Sequence, residues 1–149
     1  MESPENSEAL LDEVGAAFSR LRRRTTQSLS DHGMSKRDLT RNLIINLVDE
    51  AAGEITVGAV ADSLNVDPSV ASRMVTDCID SGYVQRAASA SDGRRTVLKL
   101  SPAGVELRER FGRLQRETFE QITSAWSDAD RLTFARLLVR YAHDSSQRG

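Results

Sequence analysis

A chain of 149 residues with 39% apolar, 5% aromatic and 28% charged residues has room for one globular domain, alone or with helical extensions. It is too apolar for disorder and too mixed in charge for a solvating tail. A formal net charge of -2 excludes binding to polyanions through bulk charge, so any basic footprint has to be local.

The opening MESPENSEAL has neither the basic start nor the apolar centre of a secretory signal, and no apolar stretch reaches membrane-spanning length. A soluble cytoplasmic protein is the expectation. Residues 1–7 are polar and expected to fray. From Glu8 to about Leu29, Leu10, Val14, Ala17 and Leu21 recur at helical spacing, with Leu11 and Phe18 widening the stripe and Arg22, Arg23 and Arg24 on the polar side. That triplet reads as a solvated helix face. Asp31-His32-Gly33 breaks the chain. A second helix is predicted from about Ser35 to Glu50, with Leu39, Leu43, Ile44, Leu47 and Val48 on one side, closed by Ala52-Gly53.

Ile55 reads as a short extended residue, and Thr56 as the N-cap of a helix through Leu64. After a tight turn at Asn65-Val66, Asp67 is expected to cap another helix with Pro68 at its first position, where the missing N–H costs nothing. This helix turns Ala71, Met74, Val75 and Cys78 inward and ends at Ser81-Gly82. Two short helices joined by a brief turn form a helix-turn-helix signature. Strands are predicted from Tyr83 to Ala87 and from Thr96 to Leu100, separated by a small polar stretch that reads as a flexible-tipped hairpin. Ser101-Pro102 opens a long helix to about Ala125 with Leu107, Phe111, Leu114 and Ile122 on one face. Ser127-Asp128 caps a last helix with Leu132, Ala135, Leu138 and Tyr141. The fold class expected is mainly α with a small β-hairpin, a winged helix-turn-helix (34–101) between helical extensions (1–33 and 102–149).

A helix that reads base edges needs a buried face and an exposed face of short polar or basic side chains near its N-terminus. The inward set leaves Ser69, Val70, Ser72, Arg73 and Thr76 on the outer and flanking positions. Ser69 and Ser72 suit bases or phosphates, Val70 a thymine methyl, and Arg73 a guanine or a phosphate. The hairpin carries Arg86, Arg94, Arg95 and Lys99 against the single acid Asp92. A thin tip bearing arginine suits a narrow minor groove, and Asp92 is close enough to Arg94 to hold its guanidinium.

The run from Thr56 to Ser101, with DPSVASRMVTDCIDSGYVQR and SDGRRTVLKLS, resembles the MarR family of bacterial winged-helix regulators. Its Asp-x-Arg wing pattern stands here as Asp92-Gly93-Arg94 and leads through Leu100 into the helix start at Ser101. The resemblance implies a homodimer interlocked through the N-terminal and last two helices, and a palindromic double-stranded DNA operator. It also implies repression of a nearby gene and release by a small, often aromatic, ligand or by oxidation. It assigns base and phosphate contacts to Ser69, Ser72 and Arg73, the minor groove to Arg94, and the orienting role to Asp92. The protein is then expected to be nucleoid-associated. Asp77 departs from the family, which often has a basic residue there. With Asp67 and Asp80 it makes the recognition helix acidic, so weaker non-specific affinity is expected.

Cys78 sits on an apolar face and reads as a small core hydrophobe; the family's peroxide sensors usually carry their cysteine in the N-terminal helix, which has none here. His32 and His143 are isolated, and no cofactor or metal is expected. Lys36, Arg37 and Arg41 fit either a phosphate backbone or an ordinary surface. Phe18, Phe111, Phe119, Trp126, Phe134 and Tyr141 fit a dimer core or a ligand pocket. No phosphate loop, nucleophile elbow or His/acid pair points to an enzyme. The alternative function is a winged-helix protein-interaction module without DNA binding; an enzymatic or ligand-binding dimer comes third.

Overall fold

The computed structural model describes residues 4–147. Of the opening segment expected to fray, residues 4–7 belong to a helix, α1 (Pro4–Asp12), and the first three lie outside the described residues. The single N-terminal helix expected from the apolar stripe is two. The N–H of Glu13 reaches back only three residues, to the Leu10 carbonyl at 3.3 Å, and α2 (Val14–Asp31) restarts one residue later. A tightened turn of this kind, next to the poor helix former Gly15, interrupts the regular bonding.

Ser35 and Asp38 close a reciprocal cap on α3 (Lys36–Glu50): each backbone N–H reaches the other's side chain at 3.1 Å. The expected inward face of α3 needs correcting. Leu43 is 50% exposed, while Ile45 is fully buried beside Ile44 and Val48. The helix lies between two apolar clusters, so its buried surface is broader than one stripe. Ile44 and Val48 join Val60, Ala71, Val75, Cys78, Val84 and Leu98. Ile45 joins Leu29, Met34, Leu107 and Phe111. Each Val, Ile, Leu, Met or Phe side chain among them contributes roughly 1.5–3 kcal/mol on burial.

Past α3 the chain reverses through two left-handed residues, Ala52 at φ 51° and Gly53 at φ 74°. The Thr56 hydroxyl accepts the Ala59 N–H at 3.2 Å and starts α4 (Val57–Leu64), which Asn65 ends at φ 51° and ψ 49°. In α5 (Pro68–Asp80) the expected cap at Asp67 holds only through its backbone. Its carbonyl accepts the Val70 and Ala71 N–H groups, and its side chain makes no capping bond. Strands β1 (Val84–Ala88) and β2 (Thr96–Leu100) pair antiparallel, with Val84 opposite Leu100 and Ala88 opposite Thr96. Ile55 forms a one-residue bridge to Leu98, whose N–H donates to the Ile55 carbonyl at 2.9 Å. The hairpin is thus not a free two-stranded ribbon, which would be marginal in water.

Helix α6 (Pro102–Ile122) follows Ser101 and ends before the expected Ala125; α7 (Asp128–Ser146) starts where Ser127 accepts the Asp130 N–H at 3.1 Å. Two compact units result, residues 1–114 and 115–149. Within the second, Phe119 and Phe134 stack at 6.2 Å and Trp126 meets Phe134 edge-on at 5.6 Å. Helix α7 buries no residue: Leu132, Val139 and Tyr141 are each more than half exposed. In the first unit Leu10, Leu11 and Leu21 are likewise open.

Candidate nucleic-acid interface

The buried side of α5 is Ala71, Val75 and Cys78, all at zero exposure. Opposite them Ser69, Ser72, Arg73 and Thr76 are exposed and Val70 is half-buried. The whole polar set expected on the outer face is therefore at the surface, within the first two and a half turns after Pro68. The wing places Arg86, Arg94, Arg95 and Lys99 in solvent as well. None of these five arginine and lysine residues forms an ion pair among the described residues, though the charges of Lys99 and Arg95 act on the Glu54 carboxylate.

Asp92 holds backbone, not guanidinium. Its carboxylate accepts the Arg94 N–H at 3.1 Å and its carbonyl accepts the Arg95 N–H at 2.9 Å, an Asx turn that fixes the chain direction at the two arginines. The tip expected to be flexible is tied as well. The Arg95 carbonyl accepts the Ser89 N–H at 2.9 Å, and the Ser89 hydroxyl, 5% exposed, accepts the Ser91 and Asp92 N–H groups at 3.2 Å each. That hydroxyl lies 2.6 Å from the Glu54 carboxylate, which also accepts the Ala90 N–H at 2.8 Å.

Asp77, the acid that set this recognition helix apart, faces α3 and is neutralised there. Arg41 Nε donates to it at 2.7 Å and Arg37 Nη2 lies 2.6 Å away. Arg41 also donates to the Ser81 hydroxyl at 2.7 Å, reaches Asp38 at 3.3 Å, and lies 5.6 Å from the Tyr83 ring centre. The hydrogen bonds from Arg41 hold the Asp77 carboxyl below its ordinary range against the opposing effect of burial, with Arg37 adding to them. Burial would raise Asp38, but the bonds from Ser35 and Arg41 outweigh it. Arg37 and Arg41, open to two readings in the sequence, are thus bound to a helix 36 to 40 residues away. Asp67 and Asp80 remain exposed.

Cys78 is fully buried, and burial first, then the neighbouring Asp77, pushes its thiol up to about 11. A thiol of that kind is protonated at neutral pH and shielded. Native protein at pH 7.5 is expected to leave a thiol-reactive dye unreacted over the time in which denatured protein is fully labelled; matching rates in a stopped-time assay would contradict the burial. Among the described residues no group of His, Cys, Asp and Glu could hold a metal ion, and no helix is long and apolar enough to cross a membrane.

A profile described as "MarR family" matches residues 32–95, the stretch that contains α3, the helix-turn-helix pair and the wing tip. A protein of Thauera aromatica named as a regulatory protein for the hcr operon is 30% identical over 92 residues, covering 61% of this chain and 55% of that protein. The HTH-type transcriptional regulator YxaD of Bacillus subtilis is 28% identical over 98 residues, covering 66% and 68%. The chain thus spans little more than half of the first relative's length. A MarR family protein from Bacillus stearothermophilus has the same fold, with a TM-score of 0.74 at 15% identity over 98% of this chain and 99% of that one. A mutant of S. aureus MepR bound to an oligodeoxyribonucleotide superposes with a TM-score of 0.56 at 15% identity, over 97% and 99%. The helix order, the bridged wing and the profile match over α5 agree: residues 32–95 are similar to the MarR family, and the chain has the winged-helix fold of solved MarR family proteins.

Proposed function

We propose that the protein is a sequence-specific DNA-binding transcription regulator, a homodimeric repressor of a nearby gene released by a small ligand. One observation carries the reading. An uncluttered α5 surface of Ser69, Ser72, Arg73 and Thr76 stands in the same unit as a wing whose four cations are all exposed, in a chain that is acidic overall. The polar helix face suits base edges of the major groove, and Arg94 and Arg95 suit the minor groove and its flanking phosphates. Two such units related by a two-fold would place recognition helices about 34 Å apart on a palindrome. The three-part division at 1–33, 34–101 and 102–149 belongs to the same proposal.

The open apolar faces of α1–α2 and of α7 support a second copy of the chain as partner, because exposed leucines in such number are uncommon on a monomer. Nothing in the chain's motifs suggests catalysis, and the family is one of regulators.

The test is a salt-titrated anisotropy measurement on DNA from the gene's own upstream region, comparing the natural protein with Arg94→Ala. Affinity is expected to fall about tenfold and the slope of log affinity against log salt to weaken by about one, with the dimer mass by light scattering unchanged. Equal affinity and slope would reject the wing role. No binding by the natural protein even at low salt would favour the protein-interaction module, for which the exposed Asp67 and Asp80 on α5 are the supporting feature.

A further inference from the structure

The wing tip is held by a residue outside the wing. Glu54 lies between the left-handed reversal at Ala52 and Gly53 and the bridging residue Ile55. One oxygen of its carboxylate takes the Ser89 hydroxyl at 2.6 Å and the other the Ala90 N–H at 2.8 Å. Ser89 is buried and passes the connection on, accepting the N–H groups of Ser91 and Asp92. Asp92 in turn accepts the backbone N–H groups of Arg94 and Arg95. The Glu54 carboxylate meets the Ser89 hydroxyl side chain to side chain, the Glu54, Ser89 and Asp92 side chains then close on the backbone of residues 90, 91, 92 and 94, and the Asp92 carbonyl takes the Arg95 N–H, so one connected set of bonds runs from the Glu54 carboxylate to the loop from Ser89 to Arg95. The Lys99 side chain runs beside Gly53, where an added Cβ would lie 3.1 Å from its Cγ, and so closes in on Glu54's own backbone turn. The Ser89 and Ala90 bonds, ahead of the charges of Lys99 and Arg95, keep the Glu54 carboxyl below its ordinary range, so it is ionised at neutral pH and accepts from both.

We infer that Glu54 is a positioning residue for DNA: through Ser89 and Asp92 it presets the wing backbone so that Arg94 and Arg95 enter the groove without first being ordered. The inference rests on the DNA-binding reading. It has an unusual sign. A carboxylate near a phosphate backbone repels it, so a bystander acid at this place would weaken binding and its removal would tighten it. A preorganising acid does the reverse, because ordering the loop on binding would draw on the affinity.

Two measurements test it, on the full chain. In the free protein, amide hydrogen exchange at Ala90, Ser91 and Asp92 is expected to be slow in the natural protein and fast in Glu54→Ala, with the amides of Val75 and Ile44 unchanged. On operator DNA, Glu54→Ala is expected to bind about fivefold more weakly, Glu54→Gln, which keeps an acceptor for Ala90, to recover part of the loss, and Glu54→Ala added to the Arg94→Ala/Arg95→Ala double variant to weaken binding no further. Ser89→Ala breaks the same chain of bonds from the other side and is expected to reproduce both effects if Glu54→Ala folds poorly. Tighter binding by Glu54→Ala, or exchange that ignores the substitution, would overturn the inference while leaving the DNA-binding reading intact. A natural protein that binds no DNA, with exchange responding as described, would overturn the DNA-binding reading and with it the positioning role.

Discussion

Gly104→Ala is expected to lower the thermal midpoint by about 10 °C, a destabilisation of about 3 kcal/mol in a chain of this size. A Cβ built at Gly104 would stand 2.1 Å from the Tyr83 carbonyl oxygen and 3.1 Å from its carbon. Both atoms are backbone and have no rotamer by which to yield. The same carbonyl accepts the Ser101 N–H at 3.0 Å, and the Ser101 hydroxyl donates to the Gly82 carbonyl while accepting the Gly104 N–H. The first turn of α6 is therefore clamped onto the junction between α5 and β1, and a methyl group there has to push the helix away from both. Gly112→Ala in the same helix meets nothing within 4 Å and is expected to raise stability by somewhat less than about 1 kcal/mol through helix propensity. Thermal unfolding followed by circular dichroism separates the two. A Gly104→Ala protein as stable as its Gly112→Ala counterpart would show that the close approach is not kept in solution.

The second large effect belongs to Asp77. Asp77→Asn is expected to cost about 2 kcal/mol at pH 7, because charge-assisted hydrogen bonds from Arg41 are lost. The Arg41 side chain is only 14% exposed, whereas that of Arg37 is 71% exposed; screening by water makes the Arg37 arm the minor one. The pH dependence has a definite sign. The Asp77 carboxyl is depressed in the folded state, so its contribution is present above the unfolded value of about 3.9 and disappears as pH falls through the lower folded value. The stability gap between natural protein and Asp77→Asn, measured by urea unfolding, is expected to be full at pH 7 and to close as pH falls through the lowered folded value of the Asp77 carboxyl. A gap independent of pH would mean that the substitution acts through packing alone.

The helix-turn-helix and its limits were legible because the signals are local. Thr56, Pro68, Gly82, Ser101-Pro102 and Ser127 each act within four residues of themselves, so their chemistry can be read without knowing the fold. The exposed face of α5 followed from the helical period for the same reason. What escaped is what depends on distant neighbours. Asp77 looked like an acid set against DNA, but its partners Arg37 and Arg41 lie on another helix. Asp92 was expected to hold a guanidinium, and it holds backbone because the turn it closes places the Arg94 N–H nearer. Glu54 gave no signal at all: a single carboxylate before Ile55 means something only once Ser89, 35 residues later, is beside it. A one-sided period selects Leu43 over Ile45, because it cannot describe a helix buried between two clusters. In α1–α2 and α7 the spacing announced apolar faces without saying what covers them.

The bridge between Ile55 and Leu98 makes the wing a composite object. Its third line of pairing and its anchoring carboxylate both come from a segment far earlier in the chain, so the stretch 84–100 is not a cassette. Grafted onto another scaffold, it would carry its arginines but leave behind the groups that aim them. An engineer wishing to move this wing would have to transplant the short Ala52–Ile55 crossing with it, and chimeras cut between the two segments would inherit a loop with no fixed direction.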